Sequence, residues 1–545
     1  MSTVMSVDPQ LEVNNVLLTH YRKSVEKYLK TVVVVDDRAF SSRKVVEAAA
    51  IEDIPSNPLE SLALDFEADA SDSDVQPEIA DEEHELDGPG LVRLFAHRGI
   101  VCSVIEPPKF ADNAELINEI LCVAHAADAL VLDWELRQGD HTASLSAIEK
   151  IIELDSTNGG RLRFIVVYTA AKQRHVKKAI RQKFSGKVTE SGHLMVIGDA
   201  CVLVLNKVAV AYPEAVPLHK LPDAIFDHHA QYSSGILPAT ALMAVATARC
   251  HTHQVLSRFH KELDAAYMAH RALIPRSEDA ELHVIELVAD SLYHLMLAEG
   301  VRGTLSKEFC TARLRQIQND LPVADRLSDD AIGRLIECMA GYSDNKISDV
   351  RDALNVGGEE RSPEKRLLEK LYGDVRVAES RRKEMAFLHD FTRSCSQKNI
   401  QENPPRLTMG TVVAILNGEG YDFQMCIQPR CDSVRLDKSR QFPFVKLDVS
   451  GQPDVHLFWN GQYRAVSSSE KLYDIKSHSF GSGGEPAIQA ELCSVMAEWV
   501  FLDSNGGKLY WVGDLRKDKA QRLVSKIASR LHLPGINEYE PTRKS

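Results

Sequence analysis

The sequence is short of several things that would settle its class at once. No stretch of its 545 residues approaches the ~18–20 uninterrupted apolar residues of a membrane span. The opening MSTVMSVDPQLEVNN has no basic cluster followed by an apolar core, so no secretory leader is expected. Ten cysteines are scattered, the closest pair being Cys426 and Cys431, and CxxC never occurs. That spacing lacks the usual zinc signature and fits reduced thiols in a cytoplasm better than a disulfide framework. A basic surplus is also missing, since 64 Lys and Arg face 78 Asp and Glu, and nucleic-acid binding gains no support. GSGGEP (481–486) lacks the Lys-Ser/Thr of a phosphate loop.

The acidic surplus has one address. Between Lys44 and Arg93 there is no Lys or Arg, and ESLALDFEADASDSDVQPEIADEEHELDG (60–88) is dense in carboxylates. Outside that window the two signs nearly balance. This composition predicts a solvated insertion at 52–90, with a docking strip for a basic partner as the alternative.

Apolar spacing of three and four predicts a lead-in helix over 11–30. VVVV (32–35), VCSVI (101–105), ALVLDW (129–134), RFIVVYTA (163–170) and CVLVLNK (201–207) read as buried strands. Helical patterns at 90–99, 113–127, 143–154 and 171–184 separate them, and HLMVIG (193–198) is a short excursion. The alternation predicts an α/β fold with a doubly wound, five-stranded parallel sheet. In such sheets ligands bind at the carboxyl ends of the strands, so the exit residues matter most. Strand one exits into Asp36 and Asp37, strand three into Asp133, strand four at Thr169 and strand five at Lys207. Three crowded carboxylates call for a hard divalent cation such as Mg²⁺. A carboxylate beside Mg²⁺ can attack phosphorus, while a hydroxyl and an ammonium balance phosphoryl oxygens.

VVVVDD, ALVLDW, FIVVYTA and VLNK, in this order, resemble the receiver domain of two-component response regulators, a flavodoxin-like fold. The resemblance implies that Asp133 accepts phosphate from a phosphohistidine. It also implies that Asp36, Asp37, Asp133 and the main-chain carbonyl of Glu135 hold Mg²⁺, and that Thr169 and Lys207 bind the phosphoryl group. Two positions depart from the pattern. Val208 stands where proline often follows the lysine, and Val204 replaces the usual aromatic switch residue.

Beyond Pro217 the periodicity is helical, with helices expected within 226–274 and at 278–299, 307–319, 329–342 and 363–391. His228, His229, His251, His253, His260 and His270 fall there. They read as ordinary surface or interface histidines, with a phosphotransfer histidine or a His228/His229/His251/His253 metal site as alternatives. From about 405, strands are expected at 411–417, 423–436, 442–449, 455–461 and 508–515, followed by a helix at 519–533. The expected domains are a lead-in helix (1–27), a receiver-like domain (28–215), a helical domain (216–400) and a mixed α/β domain (401–545). CIQPRCD reads as packing, and no catalytic constellation is legible, so any enzymatic activity is expected to be at most autophosphatase.

GILPATALMAVATARCHTH, CIQPRCDSVRL and RLVSKIASRLHLPGINEYEPTR extend a resemblance over most of the chain to bacterial response receiver domain proteins. That resemblance implies a cytoplasmic signalling protein working with a histidine kinase in an anti-phage system such as Detocs. A second response regulator carrying an effector is a further implied partner, and a homo-oligomer is compatible. Nucleic acid and membrane are not expected. Two other classes stay open: an effector enzyme in the C-terminal region gated by the receiver, and an interaction scaffold that takes no phosphate.

Overall fold

The computed structural model describes residues 9–39, 86–107, 112–137, 140–207, 214–274, 277, 279–299, 301, 306–340, 346–354, 363–395, 404–418, 420–433, 436, 438–449, 453–469, 471, 474–481, 487–493 and 498–531. Residues 52–85 of the acidic insertion, Val208 and residues 482–486 of the glycine-rich turn lie outside the described residues.

The chain opens with α1 (Pro9–Tyr28) and β1 (Thr31–Val35). It continues through α2 (Gly88–Ala96), β2 (Val101–Ile105), α3 (Asn113–Ala124), β3 (Ala129–Leu132), α4 (Thr142–Thr157), β4 (Arg163–Thr169) and α5 (Gln173–Lys183). A hairpin, β5 (Val188–Ser191) and β6 (Leu194–Ile197), precedes β7 (Ala200–Asn206). Side-chain caps start two of these helices: Asp87 accepts from Gly90 N at α2, and Asp112 accepts from Glu115 N at α3.

The strand order is β2-β1-β3-β4-β7-β6-β5. The first five strands are parallel, and they are the five expected from the sequence. The hairpin adds two antiparallel strands at the far edge, so the HLMVIG excursion extends the sheet to seven strands. Both faces of the central strands are covered, which is why β1, β3, β4 and β7 are almost uniformly apolar. Val32 and Val34 join one core with Phe164, Val166, Leu203 and the helix α1 residues Leu17, Tyr21 and Val25. Val33 and Val35 join the other, with Ile165, Val167, Val202 and residues of α3, α4 and α5. Alternate valines of a single strand therefore serve two different cores.

Helices α6 (Leu221–Tyr232) and α7 (Ile236–Leu256) follow, and their Leu221, Ile225, Phe226 and Leu242 complete the α1 side of the sheet. Then come α8 (Asp264–Leu273), α9 (Asp279–Ala298), α10 (Lys307–Asn319), α11 (Asp329–Ala340), α12 (Lys346–Ala353), α13 (Pro363–Tyr372) and α14 (Val375–Asp390). The single helix expected at 363–391 is broken at Gly373, whose φ of 67° is in the left-handed region. Asp374 then caps α14 by accepting from Arg376 N and Val377 N.

The C-terminal region is a ten-stranded sheet. Its strands are β8 (Phe391–Ser394), β9 (Thr411–Asn417), β10 (Gly420–Cys426), β11 (Arg440–Asp448), β12 (Val455–Trp459), β13 (Gln462–Ser468), β14 (Ile475–Phe480), β15 (Glu491–Cys493), β16 (Glu498–Leu502) and β17 (Lys508–Leu515). All its pairings are antiparallel. Helix α15 (Lys517–Leu531) packs Ala520, Leu523 and Ile527 into one face. The strand expected over 423–436 stops at Cys426. Pro429, which has no N–H for a ladder, leads into a 3₁₀ turn at Arg430–Asp432.

Candidate functional site at the carboxyl edge of the parallel sheet

Backbone pairing runs one residue past the strands and sets the site. Asp36 N donates to the Ile105 carbonyl (3.1 Å), Asp133 N to the Val35 carbonyl (2.9 Å) and Lys207 N to the Thr169 carbonyl (2.9 Å). Asp36 and Asp133 leave their strands level with Tyr168 and Leu205, so Thr169 and Lys207 follow one and two residues further along theirs, with Asp37 next to Asp36 in the chain. The Lys207 ammonium lies between two carboxylates, 2.5 Å from Asp36 Oδ2 and 2.9 Å from Asp133 Oδ2. All three side chains are largely buried, at 8, 3 and 14% exposure.

The remaining oxygens are also held. Asp133 Oδ1 accepts from Trp134 N (2.7 Å), and Asp36 Oδ1 accepts from Arg38 N (3.0 Å). Ser144 Oγ donates to the Asp133 carbonyl (2.7 Å), tying the strand exit to α4. Thr169 Oγ1 accepts from Ala171 N (3.0 Å), which leaves its proton to donate elsewhere. A cavity of about 260 Å³ opens over this group and is lined by Asp37, Asp133, Glu135, Thr169, Lys207 and their neighbours.

Charge is unbalanced here. Asp36, Asp37 and Asp133 present oxygens that all lie within 4.8 Å of one another. Burial lifts the Asp133 carboxyl to about 6, against the pull of Lys207 and with help from Asp36 and Asp37. Burial and then Asp36 raise Asp37 as well. For Lys207 burial acts to lower the pKa, but Asp133 and Asp36 outweigh it and hold the ammonium charged. Lys207 and Arg38, which lines the same cavity, face three carboxylates and leave a net negative charge. A hard divalent cation fits both that charge and the all-oxygen donor set. The donors would be Asp36, Asp37 and Asp133, with the main-chain carbonyl of Glu135, which lines the same cavity.

The other sequence candidates separate. His229 is fully buried against Phe164, so a phosphodonor cannot reach it. His251 and His253 have ring centroids 6.3 Å apart. Among the described residues the one group able to hold a metal is the aspartate trio, so the four-histidine alternative is not assembled. Cys426 is buried and its thiol is pushed up to about 12 by burial, in keeping with packing.

Three contributors escaped the sequence reading. Ser144 lies a full loop away from Asp133, and nothing in TASLSAIEK marks it. Asn206 was legible only as the N of VLNK; its Nδ2 donates to the Ala171 carbonyl (2.7 Å) and fixes the loop after Thr169. Tyr168 donates its hydroxyl to the Val216 carbonyl (2.8 Å) and places its ring 5.7 Å from Lys207 Nζ.

A parallel sheet ending in an acidic trio, a hydroxyl and a buried ammonium makes an anionic, oxygen-lined site at the carboxyl edge of a doubly wound fold. Residues 28–206 match the family model described as the response receiver domain. No curated protein and no solved structure matches the chain. No helix among the described residues is long and apolar enough to cross a membrane.

Proposed function

We propose that Asp133 accepts a phosphoryl group from the phosphohistidine of a histidine kinase, and that the chain relays or buffers this phosphate in the cytoplasm. The observation that carries the reading is the Lys207 ammonium shared by Asp36 and Asp133 beside Thr169 and an open acidic cavity. At neutral pH an Asp133 carboxyl with a pKa near 6 is ionised and able to attack. One of its oxygens forms a bond to phosphorus as the P–N bond of the donor breaks, and the electron pair leaves on the imidazole nitrogen. Lys207 is placed to shift from the carboxylate to a phosphoryl oxygen, and the Thr169 hydroxyl to donate to another. Mg²⁺, held by Asp36, Asp37, Asp133 and the Glu135 carbonyl, would supply neutralising charge for the transferred group.

The resemblance outside residues 28–206 supports an anti-phage two-component setting of the Detocs type, with a second, effector-bearing regulator as a partner. Incubation with a phosphorylated cognate kinase and Mg²⁺ is expected to label wild-type protein at Asp133. Persistent labelling of Asp133→Ala protein at the wild-type rate would overturn the assignment.

A cleft of about 990 Å³, lined mostly by α13, α14 and residues of the C-terminal region, favours a second reading, a receiver-gated effector. Asp390, His456 and Lys519 line it, with Asp390 Oδ1 2.9 Å from Lys519 Nζ. On that reading Lys519→Ala would abolish the downstream effect while phosphoryl transfer to Asp133 stays intact.

A further inference from the structure

Lys207 has two tasks that pull against each other. At rest its ammonium is shared by Asp36 and Asp133, in surroundings that leave the side chain 8% exposed. During transfer it has to leave Asp133 for a phosphoryl oxygen and stay charged, although a buried charge stripped of a partner is strongly destabilised. A further carboxylate would steady it but also hold it back, because a charge-assisted N–H···O bond is short and strong. An aromatic face attracts a cation without such a bond, and does so more strongly where water is excluded. Tyr168 offers that face: Lys207 Nζ lies over its ring, 5.7 Å from the centroid. Tyr168 is absent from the described residues that line the acidic cavity, so it acts on the phosphoryl group only through Lys207.

The ring is also held still. It is 3% exposed and belongs to the core that contains Phe164 and Val166 from the same face of β4. Its hydroxyl donates to the Val216 carbonyl (2.8 Å), and Val216 N donates to the Asn206 carbonyl (3.0 Å). Asn206 precedes Lys207 in the chain, and Lys207 N donates to the Thr169 carbonyl (2.9 Å). These bonds close a circuit through Tyr168, Val216, Asn206, Lys207 and Thr169, which fixes the ring against the backbone from which Lys207 extends. We propose that Tyr168 is the positioning residue of this site, its fixed ring face steadying the Lys207 ammonium as it passes from Asp133 to a phosphoryl oxygen. The proposal rests on Asp133 as the phosphoacceptor. No proton leaves Lys207 in this movement, and the ammonium exchanges one oxygen acceptor for another. Meanwhile the Asp133 oxygen bonds phosphorus and the P–N bond of the donor breaks, its electron pair leaving on nitrogen.

Labelling of the full chain from phosphoramidate, a small donor with a P–N bond, tests this at saturating Mg²⁺. Two replacements keep the shape of the ring. Tyr168→Phe retains the electron-rich face and is expected within about threefold of the wild-type rate at saturating donor. Trifluorophenylalanine at the same position draws electron density from the face and is expected about tenfold below Tyr168→Phe. The donor concentration at half-rate and the Mg²⁺ affinity should match in the two proteins, because the aspartates are untouched. The decisive comparison is the same pair in a Lys207→Met background, where fluorination should change the residual rate by less than about twofold. Equal rates for the two rings in the presence of Lys207 would overturn the proposal. So would an equal slowing in the Lys207→Met background, which a ring that only props up the fold would give. In both cases Asp133→Ala protein stays unlabelled and the acceptor assignment stands. Labelling of Asp133→Ala protein at the wild-type rate would remove the acceptor itself, and the proposal with it.

Discussion

Asp133→Asn is expected to make the metal-free protein more stable at neutral pH while removing its phosphoacceptor. Burial, with Asp36 and Asp37 alongside, lifts the Asp133 carboxyl from 3.8 to about 6, even after the attraction of Lys207 is included. A tenfold change in proton affinity is worth about 1.4 kcal/mol. Keeping Asp133 ionised therefore costs the folded state on the order of 3 kcal/mol relative to the unfolded chain. The folded state is the tighter proton binder, so the stability this group contributes is fully present below about pH 4 and is lost as pH rises through about 6. An amide carries no charge at any pH and relieves that cost. In EDTA at pH 8 the gain should be about 2–3 kcal/mol, or roughly 5–10 °C for a domain of this size. It should shrink steadily between pH 6.5 and pH 5. Differential scanning calorimetry can follow the transition that Mg²⁺ shifts. Saturating Mg²⁺ should close the gap, because it stabilises the wild-type site by mass action while the amide variant has lost a donor. An unchanged or lower transition at pH 8 in EDTA, or a gain equal at pH 5 and pH 8, would refute the reasoning.

Asp155→Ala strands the buried Arg163 guanidinium, which makes two 2.7 Å bonds to Asp155. A loss of about 3–5 kcal/mol is expected in urea unfolding, and less than about 1 would show the pair is dispensable. Arg249→Met removes both side-chain bonds to Asp128, at 2.9 and 3.0 Å, but leaves those from Lys30 N and Thr31 N. Because Arg249 is 37% exposed, solvent screening limits the loss to about 1–2 kcal/mol. Burial works to raise Asp128, but Arg249 and the backbone N–H groups hold it below 3.8, so this loss should fade as pH falls through that value. A loss that persists unchanged below pH 3.5 would contradict the ionic account. His229 is buried with Nε2 unpartnered, and burial lowers its pKa to about 4. Its neutral form supports stability above pH 6.5 and loses that support as pH falls toward 4. His229→Leu should flatten this part of the melting-temperature profile, and parallel profiles would count against it.

The parallel sheet was legible because its inner strands β1, β3, β4 and β7 are apolar runs covered on both faces, and such runs leave little ambiguity. The edge strand β2 is partly exposed but keeps a short aliphatic pattern. The exits were legible for a related reason: Asp36, Asp37 and Asp133 are polar residues where an apolar run should continue. The hairpin β5–β6 was only half visible. Its first arm, VTES, is polar because it is an edge strand with three of its four residues exposed. In the C-terminal sheet the strands expected from the sequence were apolar ones, but the apolar β16 (EWVFL) and the short β8 (FTRS) were not among them. β13 (QYRAVSS), β14 (IKSHSF) and β15 (ELC) are rich in polar or charged residues. Their pairing comes from tertiary context, which no short window contains. Ser144 and Asn206 were invisible as site residues because they act on main-chain carbonyls, a role that many residue types can fill.

Helix α1 has a consequence for how this protein can be inherited. The segment that matches the receiver model begins at residue 28 and ends at 206. Yet one face of its sheet is sealed by Leu17, Tyr21 and Val25 from before that segment and by Leu221, Ile225 and Phe226 from after it. A gene fragment covering the matched residues alone would encode a sheet with Phe164 and Val166 laid bare. The stretch that sequence similarity marks out and the body that folds have different borders. Moved without the flanking helices, the matched stretch would lose a large part of the core on that face of its sheet.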